Sequence, residues 1–407
     1  MPTFFVLFVI VSVWWVNDDG CVCAAFRGCA DVRGRKSQHA KKPETRNSCV
    51  LAYGRVNLGE AQTDSADEVD SQTTALTSID RLGNKMTTER QYECIVLGAS
   101  GYTGRYAAEH ITTSLPTDFK WAVAGRNEGK LRQLVDEIST LNPNRLQPGV
   151  EVARLDQHDL LELAKKTKVL ITTIGPYHKY GTAVVEACAE IGTHYLDVTG
   201  EVPWVYDMIQ KYDGKAKQTG AIMIPQNGIE SAPTDLMCWS LVSHIRETLN
   251  AGTAELVHST YSLDSAPSGG TLATVLGIFD AYSLADFAKK SRPWSLCSVT
   301  PPAHQRSRPL LEVLTGLRAV SGLGTLTDSL QGPADVPIIH RSWGLIDGGR
   351  FYGPHFQLSS YMRARNVLIG FGIHIALTFG FLALALPPVR WLLKYFVYHP
   401  GQGPTKE

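Results

Sequence analysis

Several side chains that can move a proton lie close together in the middle of the chain. Tyr177, His178, Lys179 and Tyr180 bring two phenols, an imidazole and an amine into four consecutive residues. Such groups can donate a proton to a substrate carbon or oxygen, as general acids do. We therefore predict Tyr177 and Tyr180 as catalytic residues. The alternative is that both rings pack against a bound ligand or against the following helix.

The element that leads into this loop is predicted to be a strand. Residues 169–173 form a short apolar run, and Ile174, Gly175 and Pro176 follow it as a loop. In doubly wound α/β sheets, ligands bind outside the carboxyl ends of the strands. The loop that carries the two tyrosines therefore leaves the sheet at its ligand-binding edge.

A glycine-rich turn lies earlier in the chain, in the sequence YECIVLGASGYTG at residues 92–104. An apolar strand pattern ends at the first glycine, and a helix-compatible run follows the third. Such a turn lets backbone amides approach a pyrophosphate, which then lies on a helix N-terminus where the helix dipole favours an anion. This predicts a dinucleotide-binding turn formed by Gly98, Ser100, Gly101, Tyr102, Thr103 and Gly104.

The spacing of these glycines is GxxGxxG, and glycine-rich turns also occur in purely structural loops. The strand before the turn and the predicted helix over residues 102–114 supply the context that the motif requires. We therefore favour dinucleotide binding over a structural turn.

Two residues at the ends of later strands bear on which dinucleotide binds. The second predicted strand, residues 120–124, is followed by Gly125 and Arg126. An NAD site usually has Asp or Glu here for the ribose 2'-hydroxyl, whereas a basic residue suits a 2'-phosphate. Arg126 therefore predicts NADP(H), with a solvated surface arginine as the alternative. Asp156 ends the third strand, either near the adenine amino group or, equally, as the cap of the next helix.

Strand-like and helix-like segments alternate from residue 92 to about residue 249. This alternation predicts βαβ units, and hence an α/β fold with a doubly wound parallel sheet. We expect a Rossmann domain over residues 86–250. Its predicted strands are residues 94–97, 120–124, 150–155, 169–173, 195–198 and 221–225.

Beyond residue 250 the alternation ends. A strand is predicted over residues 255–262 and an apolar helix over residues 272–282, so we expect a second, mixed α+β domain over residues 251–366. Residues 367–386 carry no charged side chain and, at ~1.5 Å per residue, are long enough to cross a bilayer. They predict a membrane-associated hydrophobic helix within residues 367–407, spanning or lying in the interface. The alternative is a buried helix of the second domain.

Residues 1–85 are predicted to lie outside both domains. Residues 4–16 form an apolar run that is too short for a comfortable span and has no positive charge before it. The residues that follow are polar and aperiodic. Met86 stands a few residues before the first strand and is the expected natural start. We therefore interpret residues 1–85 as a disordered or mispredicted extension, with a signal peptide as the alternative.

Composition excludes several classes of protein. The 407 residues are 44% hydrophobic and 19% charged, which is ordinary for a globular chain. The 39 basic and 39 acidic residues give a formal net charge of zero, so no overall field favours nucleic acid. None of the eight cysteines has the CxxC or Cys/His spacing of a metal site, and no metal is predicted.

Taken together, these motifs resemble those of the saccharopine dehydrogenase-like oxidoreductases. That family includes lipid-droplet and membrane proteins of animals and fungi, and bacterial trans-acting enoyl reductases of lipid synthesis. The resemblance covers about residues 86–407 and implies a Rossmann NADP-binding domain with an inserted α+β domain. The matching motifs are LGASGYTG (97–104), WAVAGRNEGKL (121–131), TIGPYHKYG (173–181), GTHYLDVTGE (192–201), NGIESAPTDL (227–236) and SGGT (268–271).

The resemblance also implies roles for matching residues. Members of the family continue past the point that corresponds to residue 407, so we expect a C-terminal truncation that puts a complete substrate pocket in question. The implied contacts are Gly98, Gly101 and Gly104 to the pyrophosphate, Arg126 to the 2'-phosphate, and Gly175, Pro176 and Tyr177 to the nicotinamide side.

Two hypotheses of function follow. The first is an NADPH-dependent reductase that acts on an enoyl or carbonyl group of a lipid-linked substrate, at the surface of a membrane or lipid droplet. The second is a binding module, a non-catalytic NADP-binding sensor or scaffold at a membrane. An ordinary short-chain dehydrogenase is excluded because no Tyr in the chain is followed four residues later by Lys. Substrate identity and oligomeric state are left open.

Overall fold

The computed structural model describes residues 90–262, 269–303 and 305–393, and the backbone of three earlier strands at residues 12–16, 22–27 and 49–56. The chain divides into two units. The first comprises the described residues of Gln62–Gly228 and Pro267–Ser283, and the second those of Met1–Ala61, Ile229–Ala266 and Leu284–Leu392. Most of the predicted extension and the tail after Leu393 lie outside the described residues.

The secondary-structure elements are labelled in chain order. The strands are β1 (Ser12–Val16), β2 (Val22–Arg27), β3 (Cys49–Val56), β4 (Tyr92–Leu97), β5 (Trp121–Gly125), β6 (Gly149–Val152), β7 (Thr167–Thr172), β8 (His194–Asp197), β9 (Met223–Ile224), β10 (Thr253–Ser262), β11 (Arg318–Val320), β12 (Gly324–Asp328) and β13 (Leu358–Arg363). The helices are α1 (Tyr102–Ser114), α2 (Glu128–Ser139), α3 (Gln157–Lys166), α4 (Tyr177–Tyr180), α5 (Thr182–Ile191), α6 (Val202–Thr219), α7 (Ala232–Leu249), α8 (Gly269–Ala281), α9 (Leu284–Lys290), α10 (Leu310–Thr315), α11 (Gly332–Leu345), α12 (Val367–Leu384) and α13 (Pro387–Leu393).

A parallel sheet of six strands organises the first unit. The strand order is β6-β5-β4-β7-β8-β9, and every pairing is parallel. The order reverses between β4 and β7, the point at which a doubly wound sheet places its ligand. Ile95, Val96 and Leu97 of the central strand are fully buried. The predicted Rossmann fold is confirmed.

Local sequence explains why the helices of this unit begin where they do. Asn127 caps α2, because its side chain accepts a 2.9 Å hydrogen bond from the Lys130 amide. The face of α2 that carries Leu131, Leu134 and Ile138 is buried in the same apolar cluster as the strand residues of β4 and β5. The 3.6-residue spacing of these apolar positions is typical of a helix with one buried face.

The second unit contains a mixed sheet, which confirms the predicted mixed architecture. Its strand order is β1-β2-β3-β10-β13-β12-β11, in which β10 and β13 are parallel and the other pairings are antiparallel. Helix α7 belongs to this unit, although the sequence analysis assigned residues up to 250 to the Rossmann domain. The reason is its buried face, since Met237 and Leu241 pack in one core with Ile339 and Trp343 of α11.

The strands β1, β2 and β3 fall within the predicted N-terminal extension. β3 pairs antiparallel with β10, from Val56 opposite Thr253 to Cys49 opposite Ser262. The sequence analysis predicted no strands there. All three lie at one edge of the sheet, so the pairing of β10, β13, β12 and β11 with one another does not depend on them. That the chain folds from Met86 onward stays a prediction.

Helix α12 coincides with most of the predicted hydrophobic segment. Within the described residues, it is the single unbroken helix that is long and apolar enough to cross a membrane. Gly370 is its one buried residue, so α12 is not a core helix of the second unit. The alternative interpretation, a buried helix of that unit, is wrong.

Candidate functional site

The glycine turn after β4 is shaped so that side chains are excluded from it. Gly98 has a φ of +87°, which only glycine adopts without strain. A Cβ on Gly104 would lie 2.7 Å from the Cα of Ala99 and would also collide with the Gly98 carbonyl oxygen. The start of α1 therefore lies directly against the turn. This close approach is the cradle that a dinucleotide pyrophosphate requires, so the turn fits the predicted cofactor.

The N-terminus of α1 points its amides into this turn. Gly101 is the N-cap, and no side chain caps the helix. The first turn of α1 contains no acidic residue, and Ser100 is exposed. A 13-residue helix with an uncapped N-terminus offers backbone donors and a positive dipole end to an anion. Tyr102 and Thr103 occupy the first positions of this helix.

The two residues predicted to contact the adenosine half follow neighbouring strands, Arg126 after β5 and Asp156 at the start of the helix after β6. Arg126 directly follows β5 and is exposed to solvent. Asp156 is also exposed, and its side chain caps α3 by accepting a 3.0 Å hydrogen bond from the Asp159 amide. The structure thus shows the capping role of Asp156, while its contact with adenine stays a prediction.

The loop after β7 lies against the glycine turn. The Thr173 amide donates to the Leu97 carbonyl at 3.0 Å, and the Thr173 hydroxyl donates to the Gly98 carbonyl at 3.2 Å. A Cβ on Gly98 would lie 2.6 Å from Cγ1 of Ile174. Gly175 and Pro176 follow directly. The structure therefore brings the phosphate turn and the proton-bearing loop together at one edge of the sheet.

Tyr177, the first predicted proton donor, lies inside the protein. Its side chain is buried, and its hydroxyl donates to the Thr172 carbonyl at 3.1 Å. Burial raises the pKa of Tyr177, and the nearby Asp197 carboxylate raises it further. Its ring also packs against Trp204, with ring centroids 5.6 Å apart. This arrangement favours the packing role for Tyr177, and a catalytic role stays a prediction.

A buried carboxylate fixes the shape of the loop. Glu201, which precedes α6, is 2% exposed. Its Oε1 accepts from the Tyr177 amide at 2.7 Å and from the Thr274 hydroxyl at 3.0 Å. Its Oε2 accepts from the His178 amide at 2.8 Å and lies 2.7 Å from His178 Nδ1. The Glu201 carboxylate therefore holds both the backbone and the imidazole of the loop.

The three remaining chemical groups of the loop differ in exposure, and Lys179 is exposed. Nδ1 of His178 lies 2.7 Å from Oε2 of Glu201, while Nε2 is buried without a hydrogen-bond partner among the described residues. Tyr180 is 45% exposed. Of the two predicted tyrosines, Tyr180 is therefore the one whose phenol can reach a substrate from solvent.

The sequence analysis missed two further groups at this edge of the sheet. Asp197 ends β8, and burial raises its pKa to about 6 although it accepts bonds from Tyr195, Thr199 and Gln226. The Gln226 side chain is buried, and its amide oxygen and nitrogen have no partner among the described residues. Gln226 also has a φ of +61°, which non-glycine residues rarely adopt. Its position just beyond β9 was the one available signal.

Replacing Arg126 by alanine is expected to weaken NADPH binding by about 1.5–3 kcal/mol, because a charge-assisted hydrogen bond to the 2'-phosphate is lost. NADH binding should be nearly unchanged. Isothermal titration with both cofactors checks this. Arg132→Ala, at an exposed arginine of the following helix, is the matched control and should change neither affinity. Equal losses for NADPH and NADH would contradict the role of Arg126.

This fold and this turn define a dinucleotide-binding protein of the Rossmann class. Residues 94–224 match the family model of the saccharopine dehydrogenase NADP binding domain. The chain is 30% identical over 317 residues to a "Lipid droplet localized protein" of Caenorhabditis elegans, covering 75% of this chain and 71% of that one. It therefore belongs to the saccharopine dehydrogenase-like family, and its cofactor is NADP(H).

Other similar proteins extend the comparison. The chain is 28% identical over 335 residues to a putative trans-acting enoyl reductase of Mycobacterium tuberculosis, covering 78% of each chain. Among solved structures, saccharopine dehydrogenase (L-Glu forming) of Saccharomyces cerevisiae aligns with a TM-score of 0.31 at 14% identity, over 38% of this chain and 31% of that chain. These are proteins to which the chain is similar.

Proposed function

We propose that this protein is an NADP(H)-dependent oxidoreductase that reduces an enoyl or carbonyl group of a lipid-linked substrate, in lipid or glycolipid metabolism. The observation that supports the proposal is that Thr173 and Ile174, which lead into the loop with the proton-bearing side chains, contact Gly98 of the glycine turn. The substrate class comes from relatives named as a trans-acting enoyl reductase and a lipid droplet localized protein.

In this proposal the cofactor and the protein divide the chemistry. NADPH, when bound, supplies a hydride to a C=C or C=O bond, and the protein supplies the proton. The phenol of Tyr180 holds that proton, since it is the exposed one of the two phenols in the loop. Tyr177 is the second candidate, and Glu201 keeps the loop in position through its four hydrogen bonds.

The binding residues follow the order of the cofactor. Backbone amides of the glycine turn hold the pyrophosphate, a basic side chain holds the 2'-phosphate, and the loop after β7 faces the nicotinamide. The proposed contacts are Gly98, Ser100, Gly101, Tyr102, Thr103 and Gly104 at the pyrophosphate, Arg126 at the 2'-phosphate, Asp156 at the adenine, and Gly175 and Pro176 at the nicotinamide.

The proposed location is the surface of a lipid droplet, the endoplasmic reticulum or the plasma membrane, with the NADP-binding unit in the cytosol. The exposed apolar helix α12 and the lipid-droplet relative support it. The alternative function, a non-catalytic NADP-binding sensor or scaffold, draws on the same two observations. NADPH oxidation on addition of long-chain enoyl or ketoacyl substrates separates the two, because a scaffold binds NADPH without consuming it.

Replacing Tyr180 by phenylalanine is expected to lower turnover by ~10²- to 10⁴-fold, because the reaction loses its proton donor. NADPH affinity should stay within about twofold of wild type. The assay follows the absorbance of NADPH in the presence of the long-chain substrate. Tyr177→Phe is the paired variant. A similar loss of turnover there would assign the role of proton donor to the buried phenol of Tyr177. If both variants reduce substrate at the wild-type rate, neither phenol is catalytic.

A further inference from the structure

The exposed apolar surface of the second unit extends beyond α12. Exposed apolar residues occur along the whole of α12 and on most of its circumference, and Leu368 is 82% exposed. The short helices α10 and α13 also expose large apolar side chains. We call the outward side chains of α10, α12 and α13 the apolar face. Prominent members are Leu311, Leu368, Ile375, Phe379, Leu382 and Trp391.

The three helices of the apolar face are neighbours. The chain that leaves α10 at Gly316 runs against α12, because a Cβ on Gly316 would collide with the ring of His374. In the same way, Leu317 lies against Gly370. Arg390 of α13 donates to the Leu384 carbonyl at the end of α12, at 2.9 Å. The three helices that expose these side chains therefore adjoin one another.

The inward side of α12 is fastened to strand β12 by polar contacts. The Thr327 hydroxyl donates to the Gly370 carbonyl at 2.7 Å. Nδ1 of His374 lies 2.6 Å from Oδ2 of Asp328, and Asp328 also accepts from Arg308 at 2.8 Å. We call these five residues the polar clamp. It holds α12 against β12, next to the edge strand β11, and beside charged side chains.

The polar clamp is incompatible with an α12 that crosses a bilayer. His374 is the eighth of the 18 residues of α12, so a perpendicular helix would carry Asp328 and Arg308 ~10 Å into the hydrocarbon. Glu312, which pairs with Arg308, would go with them. Charged side chains at that depth are costly. If α12 instead lies parallel to the membrane surface with the polar clamp facing water, only the apolar face is buried in lipid.

Charge near the apolar face indicates what covers it. Residues 348–406 contain basic residues and no acidic residue. Such a segment is attracted to anionic headgroups, and tryptophan is favoured at headgroup level. A large exposed apolar surface of this kind is typical of a site that contacts a membrane. The basic residues are Arg350, Arg363, Arg365, Arg390, Lys394 and Lys406.

We propose that the apolar face enters a single leaflet of an anionic phospholipid surface, with α12 in the plane of that leaflet. The second unit is then a monotopic attachment that fits a droplet monolayer and a bilayer equally well, since neither has to be spanned. This inference rests on the proposed location at a membrane or droplet surface. It does not depend on the reductase chemistry.

Binding of the full chain to two lipid surfaces tests this attachment. The probes are vesicles of phosphatidylcholine with phosphatidylserine, and triolein droplets coated with the same lipids. Partition coefficients from flotation are expected to agree within about threefold, and to fall for both surfaces when phosphatidylserine is omitted. Insertion into vesicles without binding to droplets would show a spanning helix and overturn the proposal.

Variants locate the surface that binds. Leu382→Asp is expected to lower partition at least tenfold on both surfaces, whereas Leu141→Asp, at a leucine of the first unit with the same 51% exposure, leaves it unchanged. Leu368→Asp is the second variant, since a residue 82% exposed is not needed for folding. Wild-type partition of both Asp variants overturns the proposal. The proposal is also overturned if the protein forms an oligomer without lipid, and if either Asp variant breaks that oligomer while lipid binding stays unchanged.

NADPH consumption, measured in parallel, keeps the two proposals apart. Lipid binding that depends on Leu382, without substrate reduction, leaves this attachment standing and removes the proposed reductase function. Reduction of a detergent-dispersed substrate without any lipid binding supports the proposed reductase function and overturns this attachment.

Discussion

Replacing Glu201 by alanine lowers the free energy of unfolding by about 3–6 kcal/mol, because the amides of Tyr177 and His178 lose their acceptor inside the protein. Each buried amide without a partner costs roughly 1–3 kcal/mol, and the Thr274 hydroxyl and the His178 imidazole lose theirs as well. Urea unfolding followed by circular dichroism measures the loss. NADPH affinity should fall with it, since the loop that is proposed to face the nicotinamide is no longer held.

The matched control is Glu190→Ala, which removes an exposed glutamate near the end of α5. It should change stability by no more than about 0.5 kcal/mol. Glu201→Gln keeps one acceptor oxygen and should fall between the two. A loss of less than about 1 kcal/mol for Glu201→Ala would mean that the loop finds other partners, and that Glu201 does not set its shape.

Gly104→Ala is expected to abolish measurable NADPH binding and to destabilise the first unit by about 1–3 kcal/mol, the usual cost of overpacking. The new methyl group would collide with the Gly98 carbonyl and lie 2.7 Å from the Cα of Ala99, so α1 would have to move away from the turn. Fluorescence titration with NADPH and thermal unfolding measure the two effects.

The same substitution elsewhere in the first unit provides the control. Gly214 lies in the exposed middle of α6, and a Cβ there would meet nothing within 4 Å. Gly214→Ala should therefore stabilise the protein by about 0.5–1 kcal/mol, since alanine is the better helix former. NADPH affinity near wild type in Gly104→Ala would show that the glycine turn is structural and does not bind the cofactor.

The elements that could be predicted are those whose local pattern determines them. The apolar run of β4, the glycines after it and the periodic face of α2 each lie within about a dozen residues. Helix α1 begins and ends where the sequence predicts. Parallel sheets also have few topologies, because crossover connections share one hand. Because of these constraints, a Rossmann sheet can be predicted from one sequence.

The parts that could not be predicted depend on contacts between distant residues. Glu201 reads as a loop residue after a strand, and its role appears only when it meets the His178 amide, 23 positions away. The apolar side of α7 could pack against either sheet, and the spacing of its apolar residues does not indicate that it joins the core that contains Trp343. His374 is a further example. An imidazole is accommodated in this apolar helix because it pairs with Asp328, which lies 46 positions earlier in the chain.

The parallel pairing of β10 with β13 also fixes the order in which the chain can mature during synthesis. His258 and Ser360, bonded across these strands, are 102 positions apart. At roughly 5–20 residues per second, β10 waits about 5–20 s at the ribosome before its parallel partner exists. The six strands of the first sheet are complete by Ile224, so that sheet can form while the other is unfinished. Helix α12 starts at Val367, just after β13 ends at Arg363, so the most apolar segment emerges as the strand that completes its support becomes available.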